Sequence, residues 1–253
     1  MIGIYFSGTG NTKYCVETFL KEYDDSASAF SIEDERAAEE IRRHGDIILG
    51  YPVQFSNMPK ILRDFIVSNG DIWKGKNIFI IATMGLFSGD GAGVCARLLA
   101  GYGAVVTGGL HLKMPDSICD ERALKRSLQE NRAMVERAVL KIKSAVCALK
   151  IGDPPREGIG VICHLAGLFG QRLYFYNKTR VYSDKLKIDS GKCTGCGKCA
   201  GLCPMKNIHI DDRKAVSGNM CTMCYRCIGR CPSQAITLLG KKVIEQCYIE
   251  KYL

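Results

Sequence analysis

The 253-residue sequence has no run of 18 apolar residues, and its most apolar stretch, 158–170, is interrupted by His164. A helix needs about 20 such residues to cross a bilayer, so no transmembrane segment is expected. Met1-Ile2-Gly3-Ile4 carries no basic n-region and no long apolar core, which argues against a signal peptide. Histidine occurs four times, at His44, His111, His164 and His209, in neither Ser–His–Asp nor zinc spacing, so each reads as structural. The formal charge of +9 suggests a nucleic-acid partner, but the cations are scattered and no basic stripe is studded with aromatics. Nucleic-acid binding is therefore not expected.

Cysteine, by contrast, is abundant. Of fourteen, eight fall in two runs: Cys193-x2-Cys196-x2-Cys199-x3-Cys203-Pro204 and Cys221-x2-Cys224-x2-Cys227-x3-Cys231-Pro232. Each run has the bacterial spacing for [4Fe–4S] ligation, in which the fourth cysteine crosses to the other cluster. One cluster is thus assigned Cys193, Cys196, Cys199 and Cys231, and the other Cys221, Cys224, Cys227 and Cys203. Zinc sites usually present two C-x2-C halves with a longer gap. Disulfides need an oxidising compartment, to which nothing in the sequence points. Oxidant-sensitive clusters suggest a reducing cytoplasm, as in an anaerobe. The remaining cysteines, Cys15, Cys95, Cys119, Cys147, Cys163 and Cys247, lack ligand spacing and read as buried free thiols. Bound clusters, each about −2, would lower the net charge toward neutral.

Apolar runs alternate with helical patterns through the first half of the chain. Strands are expected at 2–6, 28–32, 46–51, 77–83 and 104–112, with helices at 11–22, 33–44, from Pro59, at 92–102 and at 120–149. Continuous apolar strands argue for a parallel sheet covered on both faces. The fold class is α/β, a flavodoxin-like doubly wound five-stranded sheet in order 2-1-3-4-5. It is followed by a small α+β two-cluster domain, whose sequence repeats with period 28 from Cys193 to Cys221. Asp153-Pro154-Pro155 breaks the last helix. The expected division is 1–153, an apolar connecting segment 154–184 that could pack between the domains, the cluster domain 185–240 and a tail 241–253.

After the first strand comes Ser7-Gly8-Thr9-Gly10-Asn11-Thr12. Tight-loop N–H groups and a helix N-terminus there can converge on a phosphate. The loop holds no lysine, so the nucleoside-triphosphate motif G-x4-G-K-[ST] is absent. An ordinary strand-to-helix turn would use the same residue types.

This loop resembles the FMN-phosphate loop of flavodoxins, [ST]-x-T-G-x-T, and the two cysteine runs resemble bacterial two-cluster ferredoxins. Their combination resembles flavodoxin–ferredoxin fusion proteins of the EFR family, along nearly the whole chain. The resemblance implies FMN and two [4Fe–4S] clusters as cofactors. It also implies that the isoalloxazine lies between two further loops. The first contains Pro52, Val53, Gln54, Phe55, Ser56 and Asn57, and the second Thr83, Met84, Gly85, Leu86, Phe87, Gly89, Asp90 and Gly91. Phe55 and Phe87 are the candidate stacking rings, in the absence of the Trp and Tyr of familiar flavodoxins. Gly91 to Ala96 also reads G-x-G-x-x-A, but it follows the fourth strand and no suitably spaced acid comes after it, so a nicotinamide site is disfavoured. His111 and Met114-Pro115-Asp116 are expected on the flavin edge of the sheet.

The expected function is electron transfer between the clusters and FMN, with a redox partner protein or a small-molecule acceptor. Two alternatives stand beside it. One is an FMN-dependent reductase of a small acceptor such as a quinone or nitro compound. The other is a non-enzymatic carrier or sensor that docks to a larger partner.

Overall fold

The computed structural model describes residues 1–86, 89–160 and 184–253. The first half is a parallel sheet of β1 (Ile2–Tyr5), β2 (Ala29–Ser31), β3 (Asp46–Pro52), β4 (Asn77–Met84) and β5 (Val105–Lys113), in the order β2-β1-β3-β4-β5. In register, Ile4 lies beside Phe30 and Leu49, and Leu49 beside Ile80. The apolar runs Ile47-Ile48-Leu49 and Ile78-Phe79-Ile80-Ile81 are buried throughout, as a sheet covered on both faces requires.

Alternation along each strand splits the core into two layers. Ile4, Phe6, Leu49 and Ile80 pack with Ile41 of α2 (Ala37–Arg43), Leu62 and Ile66 of α3 (Lys60–Ser68) and Leu99 of α4 (Gly91–Gly101). Trp73 is fully buried in this layer, and its Nε1–H donates to the Ile66 carbonyl at 3.1 Å. On the opposite face Ile48, Phe79 and Ile81 meet Val16, Phe19 and Leu20 of α1 (Asn11–Tyr23) and Val135, Ile142 and Val146 of α5 (Leu128–Lys150). Phe19 stacks on Phe79 with centroids 5.3 Å apart. Burying each such side chain contributes about 1.5–3 kcal/mol, so the sheet gives the loops at its carboxyl ends a rigid base.

Two helices start later than the sequence suggests. Residues 33–36 form a turn, because Asp34 accepts from the Arg36 backbone N–H and guanidinium. Helix α5 starts at Leu128 and not at 120, because Ser127 caps it: Ser127 Oγ accepts from Glu130 N, and the Glu130 carboxylate accepts from Ser127 N. That capping box is visible in the sequence as Ser127-x-x-Glu130. The residues before it, 114–127, leave the sheet and run to the second half of the molecule.

The second half holds β6 (Lys187–Ile188) antiparallel to β9 (Ile236–Thr237), and β7 (Ile208–Asp211) antiparallel to β8 (Lys214–Ser217). Short helices α6 (Lys198–Leu202) and α7 (Arg226–Arg230) sit within the two cysteine runs. Leu186, Ile208, Ala215, Ile228, Ile236 and Leu238 form its core, joined by Cys119 from the first half and Cys247 from the tail. The tail then returns to the sheet, where Ile249 and Tyr252 are buried against the α1 and α5 layer. Residues 154–160 run beside β5: Gly109 N donates to the Pro155 carbonyl, and Glu157 N to the Gly109 carbonyl. Most of the connecting segment lies outside the described residues, so its expected packing between the domains does too. Among the described residues no helix is long and apolar enough to cross a membrane.

Candidate functional site

The loop 7–12 turns from the end of β1 into α1, and its side chains are fastened by neighbouring loops. Thr9 Oγ1 pairs with Ser117 Oγ at 2.7 Å, and Thr12 Oγ1 with Thr83 Oγ1 at 2.8 Å. Asn11 Nδ2 donates to the Pro115 carbonyl at 2.7 Å. Each hydroxyl pair uses one proton internally and leaves the other to donate outward. Helix α1 has no side-chain cap, and among the described residues the N–H groups of Gly8, Thr9 and Gly10 meet no acceptor. Ser7 Oγ is likewise buried without a partner among these residues. Gly10 has φ 96°, and a Cβ on Gly8 would lie 2.0 Å from the Cys224 carbonyl oxygen. Unpaired donors around a helix N-terminus are the chemistry that holds a phosphate, so the loop fits the phosphate end of FMN. Its outer side opens on a cleft of about 620 Å³ lined in part by Lys13, Lys198, Arg226 and Arg230.

The eight run cysteines line two cavities. Cys193, Cys196, Cys199 and Cys231 face one, and Cys203, Cys221, Cys224 and Cys227 the other. The fourth cysteine of each run therefore stands with the first three of the other. Among the described residues no three His, Cys, Asp or Glu side chains close on a single ion. Backbone N–H groups point at the sulfurs: Ala215 N at Cys193 Sγ (3.4 Å), Asn207 N at Cys203 Sγ (3.3 Å), Met223 N at Cys221 Sγ and Ala235 N at Cys231 Sγ (both 3.4 Å). Buried polar atoms without partners among the described residues, Asn207 Nδ2 and Thr222 Oγ1, belong to residues lining the second cavity. The residues present thus fit iron–sulfur clusters.

The cavities differ electrostatically. N–H groups of Ala215 and Gly195 hold the half-buried Cys193 thiol below its usual value. Burial pushes Cys224 up to about 11 and raises Cys227 as well. Cys224 sits inside because the second run is seated on the sheet.

Four contacts make that seat, and none had a sequence signature. Gln54 Nε2 donates to the Thr222 and Met223 carbonyls at 3.0 and 3.3 Å. Arg226 grips both carboxylate oxygens of Glu33, at 2.8 and 2.7 Å, and donates to the Ser7 carbonyl. Buried Asp120 accepts from Tyr225 Oη–H and from the N–H groups of Leu238, Leu239 and Gly240. Finally, Ile249 N donates to the Thr9 carbonyl, which lays the tail across the phosphate loop.

The two flanking loops behave differently from each other. Val53 N donates to the Thr83 carbonyl, and Val53 touches Gly91, so Pro52, Val53, Thr83 and Gly91 hold the strand ends together. Gln54 and Asn57 close a tight turn through Phe55 and Ser56, both at positive φ. Ser56 is fully buried, and Phe55 packs against the core of the second half. Met84 is buried, Gly85 lies against Asp116, Leu86 is exposed and Gly89 has φ 54°. Asp90 is buried and paired with Arg97 at 2.6 Å. Phe87 lies outside the described residues, as do Cys163 and His164.

Burial raises the pKa of Asp116, which stands beyond β5 near the expected edge. His111 does not reach that edge: it is inside β5, its ring beside Gly158, and burial lowers its pKa. Cys147 is exposed, contrary to the expectation of buried thiols.

Two family models match the chain, a flavodoxin domain over residues 2–95 and a 4Fe-4S dicluster domain over 185–232. No curated protein matches it. Similar solved structures include the two-electron reduced flavodoxin of Megasphaera elsdenii, at 21% identity and TM-score 0.43, covering 58% of this chain and 100% of that one. Flavodoxin 2 from Bacillus cereus has 20% identity and TM-score 0.43, covering 59% and 97%. The Fusobacterium nucleatum flavodoxin bound to flavin mononucleotide has 15% identity and TM-score 0.41, covering 59% and 96%. Sheet order and the two family models together make the chain a flavodoxin domain followed by a 4Fe-4S dicluster domain, an arrangement that fits a flavodoxin–ferredoxin fusion.

Proposed function

We propose that the protein relays electrons between two [4Fe–4S] clusters and FMN, serving an electron-transfer partner in a reducing cytoplasm. The observation that carries this reading is the seat of the second cysteine run: the Cys224 backbone touches Gly8 of the phosphate loop, and Gln54 holds Thr222 and Met223. Ligands of one cluster would then be anchored to the two loops nearest the flavin. When bound, FMN supplies one- and two-electron chemistry and the clusters single-electron steps.

The residues' roles follow from their chemistry. Ser7 to Thr12 would hold the phosphate, with 52–57 and 83–91 flanking the ring. Cys193, Cys196, Cys199 and Cys231 would hold one cluster, and Cys221, Cys224, Cys227 and Cys203 the other. Backbone N–H groups aimed at cysteine sulfurs stabilise added negative charge and so raise a cluster's potential. In this reading residues 1–153 form the FMN-binding domain and 185–240 the cluster domain, joined by 154–184 so that each cofactor sees the other at high effective concentration.

Anaerobically purified protein should contain about eight irons, eight acid-labile sulfides and one FMN per chain. Rapid reduction of the clusters should be followed by flavin bleaching at a rate independent of protein concentration. A rate proportional to concentration would overturn the internal relay.

A further inference from the structure

One cation ties the two halves of the molecule together at the phosphate loop. Arg226 opens α7, between Cys224 and Cys227 of the second run. Its guanidinium bridges three segments. Nη1 and Nη2 hold the two carboxylate oxygens of Glu33, beyond β2. Nη1 also donates to the Leu202 carbonyl of α6 at 3.3 Å, and Nη2 to the Ser7 carbonyl at 2.8 Å. The pair is largely buried, with the Arg226 and Glu33 side chains 20% and 27% exposed. A planar fork of donors can serve these acceptors together, which a single ammonium cannot.

The bond to Ser7 bears on the shape of the loop. In a trans peptide the carbonyl and the next N–H point to opposite sides, and among the described residues no peptide is cis. Holding the Ser7 carbonyl therefore fixes the direction of the Gly8 N–H. Ile249 N does the same for the Gly10 N–H, through the Thr9 carbonyl at 2.9 Å. Residues 7–12 carry no charged side chain, so their hold on an anion depends on where such N–H groups point. Arg230, one turn after Arg226, lines the same cleft, but its guanidinium is bonded to Glu250 and lies over Tyr248.

We propose that Arg226, a residue of the iron–sulfur half, is a positioning residue for the FMN phosphate, and that through it the second cluster and FMN strengthen each other's binding. The inference rests on the cofactor assignment above and not on electron relay. A cluster held by Cys221, Cys224 and Cys227 fixes the segment that carries Arg226, and Arg226 fixes the Ser7–Gly8 peptide group. Such coupling is reciprocal: what the cluster adds to FMN affinity, FMN adds to cluster affinity.

The test dialyses anaerobic holoprotein to equilibrium against graded FMN or riboflavin and measures bound flavin and iron. Arg226→Gln should weaken FMN about tenfold and riboflavin, which has no phosphate, less than about twofold. Arg226→Lys should resemble Arg226→Gln, because charge without the fork cannot hold Glu33 and Ser7 together. Arg230→Gln removes a charge from the same cleft and should shift FMN affinity less than about twofold. In the reverse direction, saturating FMN should slow the release of about half of the iron to a chelator, and Arg226→Gln should remove that protection. Equal weakening of both flavins in Arg226→Gln would show a general structural role and overturn the proposal. Unchanged FMN affinity, or iron release indifferent to FMN, would overturn it too. If Arg226→Gln loses its iron during purification, protection in the wild-type protein decides alone. Wild-type protein that binds no FMN would overturn the functional reading itself, and this inference with it.

Discussion

The two cysteine runs share one backbone but not one job. Residues 28 apart adopt the same left-handed conformation: Gly195 and Met223 (φ 70° and 54°), Gly197 and Tyr225 (73° and 59°), Lys206 and Gln234 (50° each). In the first run the left-handed positions before α6 are glycines, and Cys196 is exposed. The second run fills the equivalent positions with Met and Tyr, although a side chain there costs about 1–2 kcal/mol. Both are buried, and Tyr225 donates to Asp120. The two runs build similar cages, and the side chains at two positions turn one of them toward the sheet.

The comparison predicts unequal sensitivity. Asp120→Ala strips four donors of the second run's neighbourhood of their acceptor, so it should cost about 3–5 kcal/mol in urea unfolding of the holoprotein. An effect below about 1 kcal/mol would mean that the second run is held by other contacts. Gly197→Ala isolates the backbone term, because a Cβ there meets nothing within 4 Å. It should cost about 1–2 kcal/mol and leave the seat intact; a larger loss would show that the outer cage is also docked. Smallest is Lys192→Ala, which removes an exposed pair with Asp189 at 3.3 Å. Its effect should stay within about 0.5 kcal/mol, and its melting temperature should shift correspondingly little.

Much of this was readable in the residues, for physical reasons that differ by region. Ile47-Ile48-Leu49 and Ile78 to Ile81 announce buried parallel strands because burial on both faces leaves no polar alternation. Cysteine spacing is equally legible, since short gaps tie ligand identity to local geometry. The phosphate loop could be recognised by its sequence, but not the way Ser117, Pro115 and Thr83 fasten it. The docking roles of Asp120, Gln54 and Glu33 have no sequence signature, because a surface-type residue shows such a role only when a distant segment arrives. The tail read as featureless for the same reason: Ile249 and Tyr252 have no periodic partners nearby in sequence. The late start of α5 is a different kind of miss, because Ser127-x-x-Glu130 stated the boundary locally while the hydrophobic pattern before it suggested a longer helix.

The hydrogen bond from Ile249 to Thr9 has a temporal consequence. Its two residues are made 240 positions apart, as their numbers give. At about 5–20 residues per second, translation separates them by roughly 12–50 s. A growing chain therefore carries an open anion loop well before the segment that crosses it exists. An anion reaching the loop during synthesis would meet it without the tail, whereas one reaching the finished molecule would enter by the cleft beside Lys13 and Arg226.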